Sequence, residues 1–300
     1  NHGGTERGRG LNAKMALVCA DGLGIGFARV RVTATDSQKV PNASATSASS
    51  GADINGAAIM NATAQMRERL QPVAARLLGC EPEAVRFADN AAHGGGKSVP
   101  WTDLTKQAWL DRVGLSVTGF YMTPEIKYDF TTLNGRAFYY YCYGASVSEV
   151  EIDTRTGEWW LKAADMVHDA GRSINPALDK GQVEGAYIQG MGWLTMEECI
   201  WDKKGKLLTH GPSTYKIPVA GDVPEHFNVT LFDGHNLKPT PFNSKAVGEP
   251  PLMQALSVFF ALRDAVGAAG GHDARVSLVA PATPERILLA CERGLAAARG

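Results

Sequence analysis

The 300-residue chain has no long unbroken apolar run, no Cys-x-x-Cys pair and no excess of basic charge. Without a run of about 18 apolar residues, no membrane-spanning helix is expected. Thirty Lys and Arg stand against 31 Asp and Glu, a formal net charge of -1, which leaves no basic field for nucleic acid. Cys19, Cys80, Cys142, Cys199 and Cys291 are scattered singly, so neither an iron–sulfur cluster nor a zinc knuckle is spelled out. Reduced thiols of a cytoplasmic protein are the economical reading. No His, Cys or carboxylate group has metal-ligand spacing, and no secretory leader is expected from the opening residues. The first residue is Asn1, inside a glycine-rich word, so further polypeptide is expected before it. What is present is 44% hydrophobic residues, enough for a large core in one or two domains.

The chain is organised around Asn243 to Ala265, NSKAVGEPPLMQALSVFFALRDA. Leu252, Leu256 and Phe259 recur at helical spacing, with Val258 and Leu262 on a neighbouring face. Proline is tolerated in a first helical turn, so Pro250 and Pro251 place Glu249 at or just before a helix N-terminus. A carboxylate there is either a cap, favoured by the helix dipole, or a general base held rigidly by a buried helix.

Other elements follow from periodicity and punctuation. Helices are predicted over Leu11–Leu23, Asp53–Leu78 (kinked or divided at Pro72), Trp101–Arg112, Gly181–Glu198 and Pro284–Ala298, the last capped by Thr283. Strands are predicted at Val30–Thr35, Val85–Phe87, Leu115–Tyr121, within the aromatic stretch Tyr128–Ser146, at Ala145–Ile152 and Trp159–His168, and at Phe227–Phe232. Asp89–Lys97 and Ile200–Leu208 read as hairpins or loops, with Lys203, Lys204 and Lys206 at a wet tip. A subdomain boundary near Tyr143 divides the chain into 1–142 and 143–300.

Three stretches invite a ligand. Asn1–Gly10, NHGGTERGRG, is either a turn with surface arginines or an anion cradle of backbone N–H groups with Arg7 and Arg9. His2 alone is a weak metal ligand. Lys39–Gly51 is dense in Ser, Ala and Thr, either a linker or a wall of small residues against a flat ligand. The helix at Gly181–Glu198 carries four glycines, each costing about 1 kcal/mol relative to Ala. That cost implies a close contact with a backbone or a ligand.

The words SKAVGEPPL and FFALRDA, with NHGGTE, VPNASATSASSGAD, TGFY, GQVEGAYIQGMG, GPSTYKIP and APATPE, strongly resemble the molybdenum-binding portion of xanthine dehydrogenases and oxidases. They cover almost the whole chain. The resemblance implies an α+β fold, mixed sheets with packed helices, belonging to the C-terminal portion of the xanthine-oxidase-type molybdopterin-binding domain. It implies a molybdenum hydroxylase that converts hypoxanthine and xanthine to urate with oxygen from water. Glu249 would be the catalytic base. Cofactor contacts would come from Arg7, Gly8 and Arg9, from Ser47, Ala48, Ser49, Ser50 and Gly51, and from Gln182. The metal would be held by its pterin, with no protein ligand. Two [2Fe–2S] clusters and FAD would lie on partner segments or chains, in a hetero-oligomer that also includes the preceding molybdenum-domain segment. Arg7 stands where relatives have Met, and Arg9 where they have Gln. Arg offers more donors but no acceptor. Rival readings are an aldehyde or other N-heterocycle hydroxylase of the same family, a scaffold subunit with a dead site, and a binding module without molybdenum.

Overall fold

A computed structural model describes residues 1–39, 43, 45–47, 49–272 and 276–297. The chain divides into two units. The first takes Asn1–Tyr141 together with Gly171–Asn175 and Gly234–Ala246; the second takes Cys142–Ala170, Pro176–Asp233 and Val247–Gly300. The two returns to the first unit are not visible as linkers in the sequence.

In the first unit, helix α1 (Leu11–Leu23) buries Leu11, Met15 and Val18 against Ala52 and Ile59 of helix α2 (Gly51–Leu78). Of the two expectations at Pro72, division does not occur: helix α2 runs through it as one element. An interior proline costs about 3 kcal/mol. Leu70, Val73 and Leu78, all buried around it, each return roughly 1.5–3 kcal/mol. They pack on strands β1 (Arg86–Ala88), β2 (Ala91–Gly94) and β3 (Lys97–Pro100), an antiparallel sheet in sequence order, and on helix α3 (Trp101–Leu110).

Two expected strands do not form. Val30–Thr35 and Leu115–Tyr121 lie outside the observed sheets. For the second of these the reason is visible in α2. Arg69 Nη1 donates to the carbonyls of Gly114 (3.1 Å) and Ser116 (2.8 Å), Gln65 donates to that of Thr118 (3.2 Å), and Asn61 Oδ1 accepts from Phe120 N (3.3 Å). Asn61, Gln65 and Arg69 recur every four residues, on one face of the helix. Their side chains satisfy a backbone that would otherwise need a neighbouring strand. The aromatic stretch after Tyr128 likewise forms only a short hairpin, β4 (Lys127–Asp129) with β5 (Asn134–Arg136).

The second unit is built on strands β6 (Gly144–Ile152), β7 (Trp159–His168) and β8 (His226–Leu231). β6 and β7 are antiparallel, pairing Gly144 with His168 and Ile152 with Trp159, with a bulge near Glu149 and Val150. β7 and β8 are parallel, and parallel strands need a crossover. That crossover contains helix α4 (Pro176–Thr195), which starts five residues before the predicted Gly181. Val183, Tyr187, Met191 and Leu194 share its inner face. A six-residue 3-10 turn, Pro250–Ala255, leads into helix α5 (Leu256–Ala269). Pro250–Ala269 is long and apolar enough by composition to cross a membrane, yet its Ala255, Val258, Leu262 and Val266 are core residues of this unit. Helix α6 (Pro284–Ala297) closes the core with Ile287, Ala290 and Cys291, and Thr283 Oγ1 accepts from Arg286 N at 3.5 Å, as expected of a cap.

Candidate functional site

Within the first unit, the Asn1–Gly10 loop lies against the small-residue loop. Thr5 N donates to Thr46 Oγ1 (2.8 Å) and Arg7 Nη1 to the Thr46 carbonyl (3.0 Å). The backbone N–H groups expected to cradle an external anion are engaged by the chain's own Glu6. Its carboxylate accepts from the amides of Arg7 (3.1 Å), Arg9 (2.9 Å), Gly10 (3.1 Å) and Asn12 (2.9 Å). Burial alone would raise the Glu6 pKa; these donors outweigh it and hold the pKa below the ordinary value. Gly8 is exposed within this turn, at φ 83°. The Arg9 guanidinium is exposed and has no partner among the described residues. His2 is buried and used structurally: Nδ1 accepts from Gly4 N (3.1 Å), so Nε2 donates to Asn12 Oδ1 (2.9 Å). Among the described residues no cluster of His, Cys, Asp and Glu could hold a metal.

Ser47, exposed, offers its carbonyl to Ser50 N (3.3 Å) and Ser50 Oγ (3.2 Å). Ala48 lies outside the described residues. Ser49 sits at φ 56°, a left-handed conformation uncommon outside glycine. Its Oγ is buried and has no hydrogen-bond partner among the described residues. Ser50 occupies the N-cap of α2 without a side-chain cap, and Gly51 opens the helix. An orphaned hydroxyl beside an uncapped helix start suits a polar or anionic ligand. The Ser49–Gly51 corner therefore fits a pterin cofactor, whereas the amides around Glu6 are already taken.

Two residues that the sequence did not single out stand next to this corner. Asp53, in the first turn of α2, accepts a hydrogen bond from the Tyr140 hydroxyl. Tyr140 in turn accepts the Ala246 N–H (2.9 Å). Burial pushes the Asp53 pKa from 3.8 up to about 6, against the pull of the Tyr140 hydroxyl and the Lys14 charge. The only signal in the sequence was an acid at the third position of a helix, which usually reads as a cap.

In the second unit, Glu249 is the N-cap residue of the 3-10 turn, and its carbonyl accepts from Leu252 N (3.1 Å). Its carboxylate makes no capping hydrogen bond, is exposed, and has no partner among the described residues. The turn packs on α4, where a Cβ at Gly190 would lie 2.6 Å from Ala255 Cβ and 2.7 Å from the Leu252 carbonyl. Gly190 thus permits a close crossing, which accounts for one of the costly glycines. Gln182 lies on the second turn of the same helix, about 12 Å along the axis from Gly190. It is half-buried, with no hydrogen-bond partner among the described residues.

A profile of the molybdopterin cofactor-binding domain matches residues 1–224. The chain is 44% identical to the xanthine dehydrogenase/oxidase of Felis catus, over 97% of this chain and 21% of that protein. It is 42% identical to the xanthine dehydrogenase of Oryza sativa subsp. japonica, over 97% of this chain and 20% of that protein. Quinoline 2-oxidoreductase from Pseudomonas putida 86 matches with a TM-score of 0.80 at 26% identity, covering 96% of this chain and 36% of that one. The chain belongs to the molybdopterin cofactor-binding domain family of the molybdenum hydroxylases. It spans about a fifth of the length of the curated relatives it matches.

Proposed function

We propose that the protein is the part of a xanthine dehydrogenase-like molybdenum hydroxylase that carries the general base, Glu249, for oxidation of hypoxanthine and xanthine to urate. The observation that carries this is the state of Glu249: a carboxylate at a helix start that caps nothing, on a turn packed into the core. When bound, the molybdenum–pterin cofactor supplies the redox centre that takes two electrons from the substrate carbon. Glu249 accepts the proton of the water-derived nucleophile as its oxygen attacks that carbon. For this, the carboxylate must come within about 2.6–3.2 Å of the proton-bearing atom, or one water away. In the first unit Ser49 Oγ is an unspent hydrogen-bonding group for the cofactor, with Ser47, Ser50 and Gly51 as its small neighbours and Arg7, Gly8 and Arg9 on the adjoining loop; in the second unit the Gln182 amide is likewise unspent.

The [2Fe–2S] clusters, the FAD and the preceding molybdenum-domain segment belong to other segments or chains in this reading, and the whole assembly to the cytoplasm. Two facts support the partner segments. The chain spans about a fifth of its relatives, and Phe120, Met122, Phe130 and Leu133 are exposed apolar side chains of the kind that partners cover. The likeness to quinoline 2-oxidoreductase favours a second reading, hydroxylation of another N-heterocycle. Anaerobic reduction of the complete assembly by xanthine, quinoline and benzaldehyde in parallel separates the substrate classes. For the base, Glu249→Gln keeps the shape and removes the acceptor. The rate of reduction per bound cofactor falls by about 10²–10⁴-fold while molybdenum content stays parental. A parental rate would end the assignment.

A further inference from the structure

The turn behind Glu249 is tied to the sheet by a partly buried polar network. Gln254, the fifth residue after Glu249, is buried. Its Nε2 donates to the Val167 carbonyl of β7 at 3.0 Å. Gly144 on β6 makes room for it, since a Cβ there would lie 2.1 Å from Nε2. The Gln254 carbonyl accepts from two hydroxyls, Ser146 Oγ (2.6 Å) and Ser257 Oγ (2.9 Å). Ser148 Oγ lies 2.6 Å from Ser257 Oγ and 2.5 Å from the Tyr187 hydroxyl.

The proton directions follow from counting. A carbonyl only accepts, so Ser257 spends its one proton on Gln254 and must accept from Ser148. Ser148 has then spent its proton and must accept from Tyr187. The relay runs one way, from Tyr187 on α4, through Ser148 on β6 and Ser257 on α5, to the backbone of the turn. Gln254 Nε2 also lies 3.4 Å from His168 Nδ1, whereas Gln254 Oε1 is buried with no hydrogen-bond partner among the described residues. A half-satisfied buried amide is a poor stabiliser compared with an apolar side chain of similar size.

We infer that Gln254 is a positioning residue for Glu249, holding the 3-10 turn at the orientation that proton abstraction requires, with Ser257, Ser148 and Tyr187 as its relay. This rests on the reading of Glu249 as the base. The network grips the turn from β6, β7, α4 and α5, and it does so with a group that stability alone does not favour. Misplacing a reacting group by about 1 Å can cost 10²-fold in rate.

The test uses the complete cofactor-loaded assembly with xanthine as reductant. Gln254→Leu is expected to load molybdenum as the parent does and to melt no earlier. Its limiting rate of reduction per cofactor falls about 10–100-fold, with half-saturating xanthine unchanged. Ser257→Ala slows the same step without shifting half-saturation. Gly144→Ala, which crowds the Gln254 amide, is slow too, and adding it to Gln254→Leu slows the enzyme no further. A parental rate per cofactor in Gln254→Leu overturns the proposal, as does lost stability with an intact rate. Should Gln254→Leu fail to accumulate, Ser257→Ala decides by the same criterion. Glu249→Gln is run alongside. If it too is reduced at the parental rate, the base reading itself has failed. A slow Glu249→Gln beside a parental Gln254→Leu rejects the positioning role alone.

Discussion

Asp53 and Glu6 show how two carboxylates near one loop acquire opposite properties. Glu6 collects backbone donors and is held ionised. Asp53 is buried with one hydroxyl donor, and its pKa rises from 3.8 to about 6. Between roughly pH 4 and 6 the folded chain therefore holds a proton at Asp53 that the unfolded chain has released, so Asp53 makes stability fall as pH rises through that window. The rise corresponds to at most about 3 kcal/mol. Asp53→Asn keeps an acceptor for Tyr140 and removes the charge. Its unfolding free energy from urea titration should match the parent near pH 4 and exceed it near pH 8 by an amount on the order of 1–3 kcal/mol. Tyr140→Phe removes the hydroxyl that accepts from the Ala246 N–H. Hydrogen exchange at that amide should quicken by about 5–160-fold, from a loss of roughly 1–3 kcal/mol.

Among the elements, α4 separates glycines that are required from glycines that are not. Gly190 faces Leu252 and Ala255, and a Cβ at Gly192 would lie 2.4 Å from Pro218 Cδ. Gly181 and Gly185 have nothing within 4 Å. Gly190→Ala should therefore destabilise by about 1–3 kcal/mol through overpacking. Gly185→Ala should stabilise by about 0.5–1 kcal/mol through backbone entropy alone. Thermal unfolding of the two variants checks both signs. The sequence showed that four glycines in a helix need a reason; it did not say which two have one. The same limit applies to Leu115–Tyr121, where alternation suggested a strand. The partner that arrived was a row of α2 side chains, and periodicity says nothing about what lies opposite.

At the scale of the whole molecule, exposed apolar side chains gather in the first unit's region 120–141, with Phe130 at 84% and Met122 at 77%. Surfaces of this kind mark interaction sites. With a fifth of the relatives' length and no cluster-binding cysteine motif, the 300 residues alone are expected to hold substoichiometric molybdenum and to show no turnover with xanthine. Metal analysis and a reduction assay on the separately expressed chain test this; full activity would contradict it.

The sequence by itself determined the family, the α+β class, most helices and the position of Glu249 at a helix start. These are local properties: residue words, a 3.6-residue period, and prolines confined to a first turn. Tertiary structure decided how the polar groups are spent. It turned the amides around Arg7 and Arg9 onto Glu6, left Ser49 Oγ unpaired among the described residues, freed the Glu249 carboxylate from capping, and brought Gln254 to Val167 and Ser257 to Ser148. The partners in the last two pairs lie 87 and 109 residues apart. Each outcome depends on which donor meets which acceptor across such separations, a choice set by packing geometry that no local spacing records.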